Sequence, residues 1–159
     1  MFSAVVETRR GVLRRALTAW AGSSAGVPLL IGTVRASGFP PIAVWKDANC
    51  GCCEGWVQHM RQAGFNVMVR DTDNMEVVKR ARGVPDSLWS CHTAVIEGYV
   101  IEGHVPSTDV VRLLEERPMA KGLAVPGMPA SAPGMEQSGE PYSVVLFGAP
   151  DGERTYAKH

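Results

Sequence analysis

The sequence predicts an α/β fold with an irregular C-terminal extension. Three observations point to it. Short apolar runs alternate with segments of helical periodicity, a hairpin signal follows two such alternations, and residues 118–141 carry five prolines and four glycines. Ile42-Ala43-Val44-Trp45 is a short apolar run of the kind that forms a buried strand. The polar turn from Lys46 to Cys50 follows. Cys52 to Ala63 reads as a helix: Trp56, Val57, Met60 and Ala63 recur at spacings of one, three and four, and Gly64 stops it. Phe65 to Val69 is a second strand. Asp73 or Asn74 caps a helix from Met75 to about Arg82, ended by Gly83 and Pro85. Thr93 to Ile96 and Tyr99 to Ile101 flank Glu97-Gly98 as a hairpin. Ser107 or Thr108 caps a helix from Asp109 to Arg117, with Val110, Val111, Leu113 and Leu114 on its buried face and Pro118 at its end. No regular element is expected in 118–141. Tyr142 to Phe147 is one more strand, and Gly152 turns the chain into a short strand around Arg154 to Tyr156.

The order β-α-β-α-β-β-α is the thioredoxin arrangement. The expected organisation is therefore an export signal over 1–36, a thioredoxin-like domain over 37–117, and a Pro/Gly/Met extension with an added strand over 118–159. The chain has 159 residues, enough for one domain. Its 45% apolar and 20% charged residues are those of a globular protein. Sixteen basic residues balance sixteen acidic ones, so no excess charge is available for phosphates, and a nucleic-acid role is not expected. The balance conceals an asymmetry: the net charge is +4 through Ala36 and −4 from there on.

Thr8-Arg9-Arg10-Gly11-Val12-Leu13-Arg14 resembles a twin-arginine export signal. A mildly apolar stretch rich in Gly, Ala and Ser follows, and Val34-Arg35-Ala36 offers a cleavage site after Ala36. Cleavage there leaves 123 residues working outside the cytoplasm, without stable membrane association. The competing readings are a retained anchor and an amphipathic helix of the mature domain.

Three of the four cysteines sit in Asn49-Cys50-Gly51-Cys52-Cys53, between the first strand and the first helix. Cys50 and Cys53 have C-x-x-C spacing. At a helix N-terminus this brings both sulfurs near unpaired N–H groups, which favours the thiolate. Cys52 is a third sulfur that thiol–disulfide exchange does not need. Cys91 precedes the third strand, in a loop that faces the C-x-x-C turn in a thioredoxin-like fold, so all four sulfurs can converge. Three readings compete: structural disulfides, a dithiol oxidoreductase, and a soft-metal site. Structural pairing is disfavoured because adjacent Cys52 and Cys53 rarely pair and Cys50 with Cys53 closes a very short loop. Crowded thiolates repel one another unless a cation holds them. Zinc normally uses two separated C-x-x-C hooks, whereas copper(I) tolerates bridging thiolates and low coordination, with room for more than one ion.

His92 beside Cys91 reads equally as a ligand or as a loop histidine bonded to backbone. His104, in Gly103-His104-Val105-Pro106, reaches the site if its turn folds over it. His59 lies about 10 Å along the helix axis from Cys52 and reads as a surface residue. His159 is terminal and carries no signal. Met60 and Met68 read as core fillers. Met119, Met128 and Met135 fall in the Pro/Gly tail, where few other large apolar residues occur, and a thioether there binds copper(I) at any pH.

Taken together, Cys50-Gly51-Cys52-Cys53, Gly83-Val84-Pro85, Ser90-Cys91-His92-Thr93-Ala94-Val95, the run from Gly98 to Pro106, Gly122 to Pro129 and Pro133-Gly134-Met135-Glu136 resemble the CopG-type copper-resistance proteins, small exported bacterial proteins unrelated to the DNA-binding repressor of the same name. The resemblance implies a thioredoxin-like domain with an extension, copper at the cysteine cluster, and a periplasmic role in copper tolerance beside other copper-handling proteins. It carries metal binding to Cys50, Cys52, Cys53 and Cys91, to Met128 and Met135, and less directly to His104 and Met119. Cys50 and Cys53 are the expected disulfide-forming pair of any redox cycle. Ordinary thioredoxins place a proline before the third strand, where a substrate peptide pairs. Cys91-His92-Thr93 stands there instead, which suits a metal better than a protein substrate.

Overall fold

Residues 38–135 and 137–159 are described by the computed structural model; the expected export segment, 1–36, lies outside them. Strand β1 (Ile42–Lys46) leads through a polar turn into helix α1 (Gly51–Gln62), then β2 (Val67–Asp71), α2 (Met75–Arg82), a single 3-10 turn, β3 (Thr93–Ile96), β4 (Tyr99–Glu102), α3 (Ser107–Glu116), β5 (Gly122–Ala124), β6 (Ser143–Ala149) and β7 (Gly152–Lys158). All seven strands form one mixed sheet in the order β2-β1-β3-β4-β5-β6-β7. The expected order of elements through α3 is the observed one.

Strand alternation gives the sheet two apolar faces. On one, Ile42, Val44, Ala94, Ile96, Ile101 and Leu123 pack against Trp56, Val57 and Met60 of α1 and Val110 and Leu113 of α3. On the other, Val100, Ala124 and Phe147 pack with Val84 and Leu88, which follow α2. The Glu97-Gly98 turn has φ of 49° and 87°, the doubly left-handed turn that matches the twist of paired strands. Asn74, not Asp73, caps α2: its Oδ1 accepts from Val77 N at 3.1 Å.

Several expectations shift. The second strand begins at Val67 rather than Phe65, because Ile42 pairs with Val67 in parallel register and Phe65 is spent stacking on Phe39. Met68 is not a core filler; β2 is an edge strand and Met68 is 44% exposed. Helix α3 starts at Ser107 with Pro106 as its N-cap, so neither Ser107 nor Thr108 caps it. Strand β5 lies in the stretch expected to hold no element. It pairs parallel with β4 and antiparallel with β6, and a Cβ at Gly122 would run into the Val100 backbone. Three residues between turns are too few to show a periodicity. Strand β7 is longer than expected, and the extension's strands β5, β6 and β7 continue the sheet of the preceding elements. No helix among the described residues is long and apolar enough to cross a membrane.

Candidate metal centre

The turn before α1 is built locally. Asp47 Oδ1 accepts from Asn49 N at 2.7 Å, and Asp47 O accepts from Cys50 N at 3.1 Å. Cys50 is thereby left as the extended N-cap residue, with no side-chain cap bond of its own. Cys53 is buried beneath the first turn; Cys50 and Cys52 are half-buried. Cys50 and Cys53 form a disulfide across a Cα separation of 5.3 Å, within the ordinary range despite the short loop. The pairing disfavoured on loop length is thus made, and Cys52 and Cys91 remain free thiols.

Cys91 completes the cluster from the entry to β3. Its sulfur is 3.8 Å from that of Cys52, which is 3.6 Å from that of Cys50. All four sulfurs lie within 4.8 Å of one another. Burial, and then the neighbouring Cys52, push the Cys91 thiol up to about 12. It is a protonated thiol unless a cation replaces its proton.

Two imidazoles meet the same sulfur. His104 Nε2 lies 3.0 Å and His92 Nδ1 3.3 Å from Cys91 Sγ. His104 Nδ1 is 2.7 Å from Pro133 O, and a carbonyl only accepts, so Nδ1 carries the proton and Nε2 offers its lone pair toward Cys91. His92 is fully buried against Trp56, ring centroids 4.4 Å apart. Its Nε2 is the one buried side-chain polar atom among the described residues without a partner. Burial holds both histidines below the usual imidazole range, His92 most strongly, so both are neutral and able to ligate. The sequence alone fits His92 equally as a ligand or as a loop residue. Its direct adjacency to Cys91 is the signal that could have found it, but only the fold shows that its ring turns inward.

The extension reaches this centre by backbone contact. Pro133-Gly134 sits on the first turns of α1. A Cβ at Gly55 would stand 2.7 Å from Gly134 O, and one at Gly134 would stand 3.0 Å from Cys52 O. Met135 follows this contact directly and is half-buried. Ser90 donates to Gly127 O at 2.5 Å, which ties the loop carrying Met128 to the residue before Cys91, although Met128 itself is 58% exposed. Met119 is not brought to the cluster. Tyr99 donates to Pro118 O at 2.9 Å, at the hairpin end of β4, so β5 must run its length before reaching Ala124 beside Glu102. Met119 is 79% exposed there. His59 is not a free surface residue: it is half-buried and its Nε2 accepts from Ser107 N at 3.0 Å, satisfying the first N–H of α3.

With the Cys50–Cys53 disulfide reduced, four thiolates and two neutral imidazoles would make a donor set that fits a soft cation such as copper(I). Zinc also takes sulfur and imidazole, but its structural sites are single tetrahedra, and more donors than four are gathered here.

A family model described as "Protein of unknown function, DUF411" matches residues 88–135. No curated protein matches the chain. Two solved structures are similar along most of it. "Copper resistance protein copG- Form 2" is 43% identical, with a TM-score of 0.71, and the match covers 76% of this chain and 98% of that one. "Copper resistance protein copG- Form 1" is 44% identical, with a TM-score of 0.70 and the same coverage. At 43% and 44% identity across nearly the whole of both relatives, the chain belongs to the CopG family of copper resistance proteins.

Proposed function

We propose that this protein is an exported copper-binding protein that contributes to copper tolerance, on a thioredoxin-like fold with a metal-binding extension. The observation that carries the reading is the convergence of four sulfurs and two imidazoles around Cys91. Cys50, Cys52, Cys53 and Cys91 hold copper(I) as thiolates once the disulfide is reduced, with His104, Met128 and Met135 closing the site. The likeness to copper resistance proteins supports copper as the cargo. Residues 1–36 act as a twin-arginine-like export signal removed after Ala36, and the mature chain works in the periplasm with other copper-handling proteins.

The Cys50–Cys53 disulfide favours a redox component. The two thiolates give up two electrons as their S–S bond forms, and two copper(II) ions each take one to become copper(I); the reverse exchange reopens the bond. The same disulfide keeps a second reading in view, a thiol–disulfide oxidoreductase acting on proteins. Cys52 separates them, since disulfide exchange needs only Cys50 and Cys53.

The deciding experiment reduces the full chain without air, offers copper(I) and zinc in competition, and counts bound metal and free thiols. Retained copper with all four thiols masked is expected. Loss of copper together with catalytic cycling of Cys50 and Cys53 on a protein disulfide overturns the reading in favour of the oxidoreductase.

A further inference from the structure

Beneath the centre, on the sheet face of Val95 and Val100, lies a buried charged cluster that no ligand needs directly. Glu102 is fully buried and Lys79 of α2 is 3% exposed. Glu102 Oε1 accepts from Lys79 Nζ at 2.5 Å and from Ser90 N at 2.7 Å. Glu102 Oε2 accepts from the Thr93 hydroxyl at 2.6 Å, and Lys79 Nζ also donates to Thr93 Oγ1 at 3.1 Å. Thr93 and Glu102 are cross-strand partners in the β3–β4 ladder. One carboxylate therefore grips the residue before Cys91 and the residue after His92, while itself standing two residues before His104. Gly103 N closes the frame by donating to His92 O at 2.9 Å.

A buried ion pair is a poor source of stability, because well-packed apolar side chains of similar volume do as well or better. Its presence in this core therefore calls for a role other than holding the fold. We propose that Lys79, Glu102 and Thr93 are positioning residues, which fix the Cys91–His92 and His104 segments in register so that both imidazoles meet Cys91 Sγ and Cys91 Sγ faces Cys52. Glu102 is the centre of the device. Lys79 and Thr93 hold its carboxylate with one oxygen aimed at Ser90 N, and the Ser90 bond sets where Cys91 begins. The inference rests on the copper(I) reading for its functional meaning, but its first readout needs no metal.

The test compares two double variants of the full chain. Lys79→Met with Glu102→Leu replaces the pair by apolar side chains and leaves Ser90 N without an acceptor. Lys79→Met with Glu102→Gln removes the same charges but keeps an amide oxygen for Ser90 N and an amide N–H for Thr93. Unfolding curves establish that each is folded, and alkylation of Cys91 is timed in the reduced, metal-free protein. In the leucine variant Cys91 is expected to react about ten-fold faster, the factor that losing one hydrogen bond of ordinary strength allows. Copper(I) binding is expected to weaken roughly 10- to 100-fold, as for lost outer-shell support. The glutamine variant, which keeps the Ser90 bond but loses those of Lys79, should lie between the wild type and the leucine variant in both. Equal, wild-type-like alkylation in the two variants overturns the proposal. Should the leucine variant fail to fold, Thr93→Val removes one bond to the carboxylate and one from Lys79 and must still speed Cys91 alkylation; an unchanged rate overturns the proposal in that arm. If the wild type binds no copper(I), the copper reading fails, and the alkylation rates still decide the positioning role.

Discussion

Cys50, Cys52 and Cys53 lie within four residues of one another on a single turn, whereas Cys91, His92 and His104 come from two strand ends and lean on a third segment, Pro133-Gly134. The first arm owes its shape to its own chain: an Asp47 turn, an N-cap residue and the start of a helix. The second is a meeting of strangers in sequence, and the conformational entropy of bringing them together is offset by support from outside the centre. That support has three parts: the Lys79–Glu102–Thr93 cluster below, the Pro133 carbonyl on His104, and the Ser90 to Gly127 bond at the side. A change in distant residues should therefore loosen the second arm and leave the cysteine turn intact.

The largest expected effect comes from removing the sulfur that joins the arms. Cys91→Ser should weaken copper(I) retention by more than the roughly 10- to 100-fold typical of outer-shell changes, read by competition with a chromophoric copper(I) chelator, while the Cys50–Cys53 disulfide still forms. If Cys91→Ser binds copper(I) like the wild type, the two arms do not share one site.

Gly134→Val attacks the docking of the extension. Its φ of +86° suits glycine, and a Cβ there meets the α1 backbone, which cannot step aside. A loss of about 1–3 kcal/mol is expected in urea unfolding, together with faster alkylation of Cys91 as His104 loses its Pro133 acceptor. Unchanged stability would mean that the extension is not latched to α1.

The imidazoles give the metal-free protein a pH dependence. Burial holds His92 below its ordinary value, with His104 and His59 shifted the same way. The unfolded chain then binds protons more readily than the folded one as pH drops below about 6.5. Stability is full above that value and declines as pH falls from there toward the folded-state values, by up to about 1.4 kcal/mol per pH unit from His92 alone. Urea midpoints at pH 7.5 and 5.5 check this, and His92→Gln should flatten the slope. The smallest effect belongs to Met119→Ala: copper(I) affinity should not change, and a measurable loss would bring the hairpin end of β5 into the site.

The contrast between the arms also explains what the sequence disclosed. The cysteine turn, α1, the Asn74 cap and the Glu97-Gly98 hairpin are local, and each left its signal within a few residues. Strand β5 left none, because its three residues are fixed by strands on both sides rather than by their own pattern. Lys79 and Glu102 look like ordinary surface charges in a sequence; only the pairing of β3 with β4 and the placement of α2 bury them together. Met119, Met128 and Met135 share one composition, and composition does not say at which end of a strand a loop emerges. The inward turn of His92 was equally hidden, since adjacency to Cys91 fits an exposed ring as well as a buried one.

The contact between Gly55 and Gly134 has a practical corollary for protein engineering. Transplanting the Cys50 to Cys53 turn into another scaffold would carry over three sulfurs and an ordinary helix start. The cover would stay behind, because it needs a recipient helix bare of side chain at the fifth residue, Gly55, and a second loop equally bare to meet it. Any graft of this centre must move as two matched pieces, and a library that randomises one of the two glycines would keep the cover only in the members that retain glycine there.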